Sequence, residues 1–205
     1  MSGHNGKKGI IIAGPTASGK SGFAVRLAQV LGADGVTRGS GVTRGGGAEV
    51  VNADSMQIYR DLPIITAIPA EDEREDIPHH GYGVLDGAER CSVGGWLELT
   101  RGYVDDVLAR GNIPILVGGT GMYIRAAMDG ISPIPDIPAE IRAQATAMHD
   151  DLGGVKFRQA LAEHDPALAA RLHDGDTQRL IRGMEVVLAT GTSLSTLQDI
   201  PPEGA

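Results

Sequence analysis

The chain has 205 residues, with 18 basic against 26 acidic side chains and a formal net charge of −8. That length suits one α/β domain plus a further segment, and it can bury a core without a disulfide, in keeping with the single Cys91. The acidic balance excludes a surface coated in positive charge, so any bound polyanion needs a local basic patch. No apolar run reaches the roughly 20 residues that span a bilayer, and the first residues do not resemble a signal peptide. We therefore expect a cytoplasmic protein that does not contact a membrane.

The first predicted strand, Gly9–Ala13, leads into a glycine-rich loop. Residues 14–21 read GPTASGKS, which fits GxxxxGK[ST], and apolar residues at helical spacing follow from Phe23 to Leu31. In such a loop backbone N–H groups surround an anion, Lys20 adds a positive charge and Ser21 can hold Mg²⁺. The pattern predicts a phosphate site for ATP, GTP or another pyrophosphate ester. The residues that form it are Gly14, Pro15, Thr16, Ala17, Ser18, Gly19, Lys20 and Ser21.

A short repeat separates this helix from the next strand. The sequence GVTRG at residues 35–39 recurs at residues 41–45, and its glycines predict an exposed, flexible loop. Arg38 and Arg44 in this loop could contact a polyanion.

Two further strands end in residues suited to a ligand crevice. Ala48–Ala53 is followed by Asp54, and Pro114–Val117 is followed by a glycine turn that contains Thr120. Because the carboxyl ends of parallel strands face the ligand in an open α/β sheet, Asp54 could act as a general base or hold a metal-bound water. The alternatives are structural: Asp54 could cap a short helix that begins at Ser55, and Thr120 could cap the helix that follows it.

The second half of the chain is predicted to be helical. A long amphipathic helix at Val93–Ala109 ends at Gly111, and the proline-rich residues 131–138 suit neither a helix nor a central strand. Beyond them Asp165 and Asp176 are placed to cap helices, and Gly191 to end one. We predict an α/β core in residues 1–134 and a helical segment in residues 135–205. The predicted helices of that segment are Ala139–Asp151, Val155–His164, Pro166–His173 and Asp176–Ala189.

Polar residues of the last helix and a histidine pair each have two interpretations. Gln178 and Arg182 share a helical face and suit phosphate or base contacts, although two arginines on a helix more often form a solvated face. His79 and His80 have no cysteine or carboxylate at metal spacing, so structural hydrogen bonding is favoured over a zinc site.

Five segments, in order, resemble the tRNA dimethylallyltransferases, also called tRNA isopentenyltransferases. The segments are GPTASGKS (14–21), VNADSMQIYRDL (51–62), PHH (78–80), IPILVGGTGMYIRA (113–126) and DTQRLIRGMEVVLATG (176–191). The resemblance implies a P-loop NTPase-like parallel sheet core with a helical insertion domain that binds tRNA. It also implies transfer of a dimethylallyl group from dimethylallyl diphosphate to the exocyclic amine of the adenosine 3′ of the anticodon.

The resemblance also implies roles for individual residues. The phosphate loop would hold the diphosphate of the prenyl donor, with Lys20, Ser21 and Mg²⁺ stabilising the leaving pyrophosphate. Asp54 would be the general base, and Thr16 and Thr120 would line the reaction channel. The partner would be the anticodon stem-loop of tRNA, bound by a protein that we expect to be a monomer. The residues expected to contact tRNA are Asp54, Ser55, Met56, Gln57, Thr120, Arg142, Gln178, Arg179, Leu180, Ile181 and Arg182.

Three features depart from the family pattern. Members usually continue for about another third of this length, so we expect a truncated chain. The usual LDIGTAKP reads LPIITAIP at residues 62–69, which puts Ile65 and Ile68 in place of a glycine and a lysine near the donor site. The GVTRG repeat lengthens the connection before the second strand, at small cost.

Two other functions compete with the transferase interpretation. A small P-loop kinase would use the same loop for ATP, but it usually has a lid with clustered arginines in place of the DSMQ and QRLIR segments. A truncated remnant would bind tRNA or pyrophosphate without turnover. A melting shift with pyrophosphate and Mg²⁺, but not with ATP, would argue against the kinase.

Overall fold

The computed structural model describes residues 9–33 and 47–204. The chain divides into two compact units, with the division between Met128 and Asp129. The predicted division at 134/135 falls six residues later, in the irregular segment between α4 and α5. The GVTRG repeat, with Arg38 and Arg44, lies outside the described residues.

The first unit alternates strands and helices. Its elements are β1 (Ile10–Ala13), α1 (Lys20–Ala33), β2 (Ala48–Asn52), α2 (Glu71–Arg74), β3 (His79–His80), α3 (Val93–Ala109), β4 (Ile113–Gly118) and α4 (Gly121–Asp129).

These strands form a four-stranded sheet in the order β1-β4-β2-β3, and every pair is parallel. Ala13 of β1 lies opposite Gly118 of β4, and Asn52 of β2 lies opposite Val117. The carboxyl ends of β1, β2 and β4 therefore meet at one edge of the sheet. The predicted α/β fold with a parallel sheet is confirmed, and this edge positions the site.

Helices pack against the sheet and bury its apolar residues. Small side chains on α1, Ala24 and Ala28, are fully buried against Val50 and Ile115, which lets the helix lie close to the strands. Trp96 and Val107 of α3 are also buried, and α3 contacts both β2 and β4. The long predicted helix has the expected bounds, and Gly111 follows it with a φ of 77°.

The second unit is helical and has a core of its own. Its helices are α5 (Ala139–Ala162), α6 (Pro166–Arg171), α7 (Thr177–Thr190) and α8 (Leu194–Gln198). The fully buried residues Phe157, Leu161 and Leu180 lie at the centre of this core. None of the helices in residues 9–33 and 47–204 is long and apolar enough to cross a membrane.

Local backbone geometry confirms most of the predicted helix limits. Gly153, with φ 70° and ψ 163°, interrupts α5 between the two helices predicted there. Asp165 accepts a hydrogen bond from the Leu168 N–H, and Gly191 ends α7 in the left-handed conformation. Asp176 does not cap α7 with its side chain; its carboxylate instead accepts from the His173 N–H at 3.0 Å.

Candidate active site

The phosphate loop closes on itself at the end of β1. Ala17 and Gly19 have positive φ values of 61° and 78°, which turn the chain back before α1 begins at Lys20. The Lys20 ammonium donates to the Pro15 carbonyl at 2.7 Å and so lies across the loop. A Cβ at Gly14 would be 3.2 Å from the Ser18 hydroxyl, so the loop has little room for side chains on its inner side. This geometry suits a cradle of backbone N–H groups for an anion.

Backbone hydrogen bonds join the three strand ends beside this loop. The Gly14 N–H donates to the Gly118 carbonyl at 3.3 Å, and the Ala53 N–H donates to the Val117 carbonyl at 2.8 Å. A Cβ at Gly118 would lie 2.0 Å from the Ala53 carbonyl oxygen. Only glycine allows this approach, which brings the residues after β1, β2 and β4 together.

Asp54 lies close to the phosphate loop, with Gly119 between them. A Cβ at Gly119 would be 3.1 Å from the Gly14 carbonyl oxygen and 3.9 Å from Asp54 Oδ2. The other carboxylate oxygen, Oδ1, accepts from the Met56 N–H at 2.9 Å. No helix begins at Ser55, so Asp54 does not cap one; its local bond is to a turn.

Thr120 and Gln57 hold the two ends of the segment that follows Asp54. The Thr120 hydroxyl accepts from the Ser55 N–H at 3.0 Å and lies 3.3 Å from the Ser55 hydroxyl, so it braces this segment. The Gln57 amide donates to the carbonyls of Thr66 and Ala67 at 2.9 and 2.7 Å. The segment is therefore fixed against both the β4 turn and the loop of residues 62–67.

The remaining predicted residues of the first unit lie at the surface. Thr16 and Met56 are exposed, and Ser21 is half-buried at the start of α1. In the altered LPIITAIP segment, Ile65 is 82% exposed and Ile68 is half-buried.

Asn52 was not among the predicted site residues, yet it orients Asp54. Its amide oxygen accepts from the Asp54 N–H at 2.8 Å, and its amide nitrogen donates to the carbonyls of Asp54 and Gly81, each at 3.0 Å. Trp96 donates from its indole N–H to the Asn52 carbonyl at 3.2 Å. The sequence carries a signal for this role, because an asparagine at a strand end commonly bonds to backbone two residues on.

The negative charge of Asp54 acts on two tyrosines, the half-buried Tyr82 and the buried Tyr123. Burial, together with the negative charge of Asp54, raises the pKa of Tyr82 well above its usual range. Burial also raises the pKa of Tyr123, helped by a hydrogen bond with Cys91 and by the Asp54 charge. The Tyr123 ring stacks on Trp96 with ring centres 4.3 Å apart. Burial and the Asp54 charge both favour the neutral, protonated form of these two tyrosines.

The histidine pair makes structural hydrogen bonds, as favoured from the sequence. His79 Nδ1 lies 2.7 Å from the Ile77 carbonyl oxygen, and His80 Nε2 lies 2.5 Å from Glu49 Oε2. Burial lowers the pKa of His79. Across the part of the chain that the structure describes, no three histidine, cysteine or acidic residues cluster as a metal site.

A magnesium ion that binds through few protein ligands remains compatible with the loop. Mg²⁺ usually keeps several waters and binds one or two side chains together with substrate phosphates. The Ser21 hydroxyl makes no hydrogen bond to another described residue and stands at the start of α1, beside Lys20. This donor set fits an ion bound mainly by a diphosphate.

In the helical unit, the predicted RNA contacts fall into three groups. Gln178 and Arg179 are exposed at the start of α7, and their side chains make no hydrogen bonds to other described residues. Arg182 of α7 and Arg142 of α5 are partly exposed, and both bind the buried Glu185. Ile181 is half-buried and packs against the core.

Leu180 belongs to the segment 178–182 that is expected to contact tRNA, and the structure places its side chain in the core of the helical unit. Leu180 has 0% exposure because it lies on the packed face of α7, within the core of the helical unit. Its place beside exposed Arg179 in the sequence does not make it a surface residue, since successive residues point to different sides of a helix.

The parallel sheet, the loop at the end of its first strand and the helix that follows define an α/β protein of the P-loop NTPase-like class. A sequence model of the family described as IPP transferase matches residues 57–204. The chain therefore belongs to the IPP transferase family.

Curated relatives carry the name tRNA dimethylallyltransferase. The protein from Parvibaculum lavamentivorans is 46% identical over 96% of this chain, and that from Rhodospirillum rubrum is 48% identical over 90% of it. The chain spans 57% and 52% of the lengths of these two relatives.

Solved structures show the same similarity. A eukaryotic dimethylallyltransferase, described as acting on tRNA, has a TM-score of 0.72 and 29% identity, covering 97% of this chain and 46% of its own. The tRNA isopentenylpyrophosphate transferase of Bacillus halodurans has a TM-score of 0.53 and 31% identity, covering 91% of this chain and 57% of its own.

Proposed function

We propose that this chain provides the donor site and part of the RNA-binding surface of a tRNA dimethylallyltransferase. The reaction transfers a dimethylallyl group from dimethylallyl diphosphate to the exocyclic amine of the adenosine 3′ of the anticodon. The observation that carries the proposal is the position of Asp54 beside the phosphate loop, with Gly119 between them. A base and a diphosphate cradle are both needed, close together, for this reaction.

The phosphate loop stabilises the leaving group. When the allylic C–O bond breaks, negative charge develops on the pyrophosphate, where fixed N–H donors and a cation are most effective. The Lys20 ammonium uses one of its three N–H donors for the Pro15 carbonyl, so two remain for this anion. The new N–C bond forms as pyrophosphate leaves.

Asp54 accepts the proton that the attacking amine loses. Its Oδ1 already accepts a backbone hydrogen bond from Met56, which fixes the carboxylate and leaves Oδ2 on the Gly119 side. Asn52 holds the backbone of Asp54 in place. The adenine must leave the base stack to reach this carboxylate, as a flipped nucleotide does.

We further propose Mg²⁺ as the cofactor, with Ser21 as its protein ligand. When bound, the ion would neutralise charge on the departing pyrophosphate. The proposal rests on the Ser21 hydroxyl beside Lys20, which makes no hydrogen bond within residues 9–33 and 47–204, and on the diphosphate of the proposed substrate.

The proposed RNA partner is the anticodon stem-loop. Recognition of single-stranded RNA can depend on a few arginines, stacking and shape, so it is compatible with a net charge of −8. We expect the chain to act as a monomer in the cytoplasm. The names of the relatives do not favour the kinase alternative. The remnant alternative is tested by measuring whether the chain transfers the dimethylallyl group.

The test is a single-turnover assay with labelled dimethylallyl diphosphate, Mg²⁺ and an unmodified anticodon stem-loop. We expect label in the RNA, unaffected by added ATP. Asp54→Asn should lower the transfer rate by about 10²- to 10⁴-fold, the usual contribution of a general base, while RNA affinity changes little.

Asp72→Asn is the matched control, because Asp72 is an exposed residue of α2 and the change removes the same charge. It should transfer at the parental rate. Transfer by Asp54→Asn at the parental rate would remove the base assignment. Binding of RNA and pyrophosphate without any transfer would support the remnant function instead.

A further inference from the structure

One buried carboxylate holds two arginines of the helical unit together. Glu185 of α7 is only 3% exposed. Arg142 of α5 donates to it from Nε at 2.8 Å and from one terminal nitrogen at 3.3 Å. Arg182, one turn before Glu185, donates to Oε2 at 3.1 Å.

The arrangement leaves much of both guanidinium groups open to solvent. The side chains of Arg142 and Arg182 are 38% and 37% exposed. Only three of their roughly ten N–H donors are directed to Glu185. Two positive charges and one negative charge leave a net positive pair, and its other donors, which bind no described residue, are fixed in direction.

The arrangement of the two arginines depends on the negative charge of Glu185. Two guanidinium groups that share one carboxylate repel each other, and without a negative charge between them they would separate. Fixed, planar arginine donors suit phosphate oxygens, which accept in pairs.

We propose that Glu185 is a positioning residue for RNA binding, holding Arg142 and Arg182 as a two-arginine clamp for the phosphate backbone of RNA. This inference rests on the proposed function, in which an anticodon stem-loop is the partner. The inference goes beyond the proposed function because it assigns a buried, negatively charged residue a part in binding a negatively charged ligand.

Substitution of Glu185 separates positioning from simple charge. Glu185→Gln keeps the shape of the side chain and makes the chain one unit more positive. If only net charge mattered, RNA would bind more tightly. If Glu185 positions the clamp, RNA binds more weakly, because the glutamine amide offers a donor to a guanidinium that also donates.

The matched control is Glu140→Gln. Glu140 is exposed in the first turn of α5, two residues before Arg142, and its side chain contacts no charged partner among the described residues. It changes the net charge by the same amount without touching the clamp.

The experiment measures binding of a fluorescent anticodon stem-loop to the 205-residue chain over a series of salt concentrations, with thermal melting of each variant. We expect Glu185→Gln to weaken binding roughly five-fold or more and to reduce the slope of log K against log salt by about 1. Glu140→Gln should bind as tightly as the parent or more tightly.

A shorter side chain tests the proposal if Glu185→Gln does not fold. Glu185→Asp keeps the charge but withdraws the carboxylate by one methylene, so it cannot reach both arginines, and it should also weaken binding. Parental or tighter binding by a folded Glu185 variant, with the parent binding normally, would overturn this inference alone. Failure of the parent chain to bind the stem-loop would overturn this inference together with the proposed RNA partner.

Discussion

At the residue scale, two adjacent glycines serve different purposes. Gly118 allows the strand ends to approach, because a Cβ there would overlap the Ala53 carbonyl at 2.0 Å. Gly119 instead keeps clear the space between Gly14 and Asp54. Substitution at the first position should affect folding, and substitution at the second should affect the site.

We predict that Gly119→Ala reduces donor binding more than stability. The added methyl would lie 3.1 Å from the Gly14 carbonyl oxygen, so the phosphate loop must shift by a few tenths of an ångström. Pyrophosphate affinity in the presence of Mg²⁺, measured by calorimetry, should fall about ten-fold, since misplaced donors lose part of their interaction with the anion.

Gly121→Ala is the control for this change, because a Cβ there meets nothing within 4 Å. It should bind pyrophosphate like the parent. Equal affinities for the two variants would show that the space at Gly119 is not needed for the donor.

What the sequence revealed at this scale depended on local signals. The phosphate loop and Asp54 could be predicted because each follows directly from a strand and its neighbours in sequence. Asn52 was missed although its signal is local, whereas Glu185 acts through Arg142, which is 43 residues away. The helical spacing predicts Leu180 on the side of α7 opposite Gln178 and Arg182, and its burial agrees with that spacing.

At the element scale, a buried carboxylate of β2 links β3, the end of α3 and the residue before β4. Glu49 of β2 is 3% exposed, and it accepts hydrogen bonds from Arg110 at 3.0 and 2.7 Å, from Asn112 and from His80. Burial alone would raise its pKa, but the hydrogen bonds from Arg110, Asn112 and His80 together lower it from 4.5 to about 2. A lowered pKa means that the ionised carboxylate stabilises the fold.

We predict that this contribution is present above pH 4.5 and is lost as the pH falls towards 2. Glu49→Gln should lower the free energy of unfolding by about 2 kcal/mol at pH 7, less than for a fully buried pair because Arg110 is half exposed. Urea denaturation at pH 7 and pH 3 measures this, and the variant should lose less stability on acidification than the parent.

The exposed Glu98 on α3 supplies a control for the charge change. Glu98→Gln should retain the acid sensitivity of the parent. An acid response of Glu49→Gln as steep as that of the parent would mean that other carboxylates govern it.

The break within α5 is also an element-scale feature. Gly154 follows the non-helical Gly153, and a Cβ at Gly154 would lie 2.2 Å from the Asp174 carbonyl oxygen. We predict that Gly154→Ala destabilises the helical unit by about 2–3 kcal/mol, because backbone rather than a flexible side chain must move. Thermal melting measures the loss.

Gly175→Ala, where a Cβ would meet nothing within 4 Å, is the comparison. It should melt close to the parent temperature. A melting temperature for Gly154→Ala no lower than that of Gly175→Ala would indicate that residues 154 and 174 separate easily.

The elements that the sequence predicted are those with long periodic patterns. β1, β2, β4, α1 and α3 each combine several apolar residues at the right spacing with a glycine or capping signal. β3 was missed because it has two residues, His79 and His80, whose strand conformation comes from pairing with β2. α2 and α8 are likewise too short to show a period.

At the scale of the whole molecule, two compact units divide the proposed functions. The diphosphate site lies entirely within residues 14–120, and the arginine clamp lies entirely within residues 142–185. Pyrophosphate should therefore protect the first unit alone, whereas the stem-loop should also protect the second. The chain covers 57% of the length of its Parvibaculum relative, so this division concerns the part of the family protein that the chain contains.

Hydrogen exchange with each ligand tests the division. Pyrophosphate with Mg²⁺ should slow exchange of backbone N–H groups in residues 14–21, whereas the anticodon stem-loop should slow exchange around Arg142 and Arg182. A ligand present at 100 times its Kd stabilises the native state by about 2.7 kcal/mol, which is large enough to raise the melting temperature measurably.

Lys20→Ala should abolish the pyrophosphate effect and leave the RNA effect intact, because Lys20 belongs to the phosphate loop and not to the helical unit. Loss of both effects in this variant would mean that the two sites are not independent, and protection by ATP equal to that by pyrophosphate would favour a nucleotide in the loop.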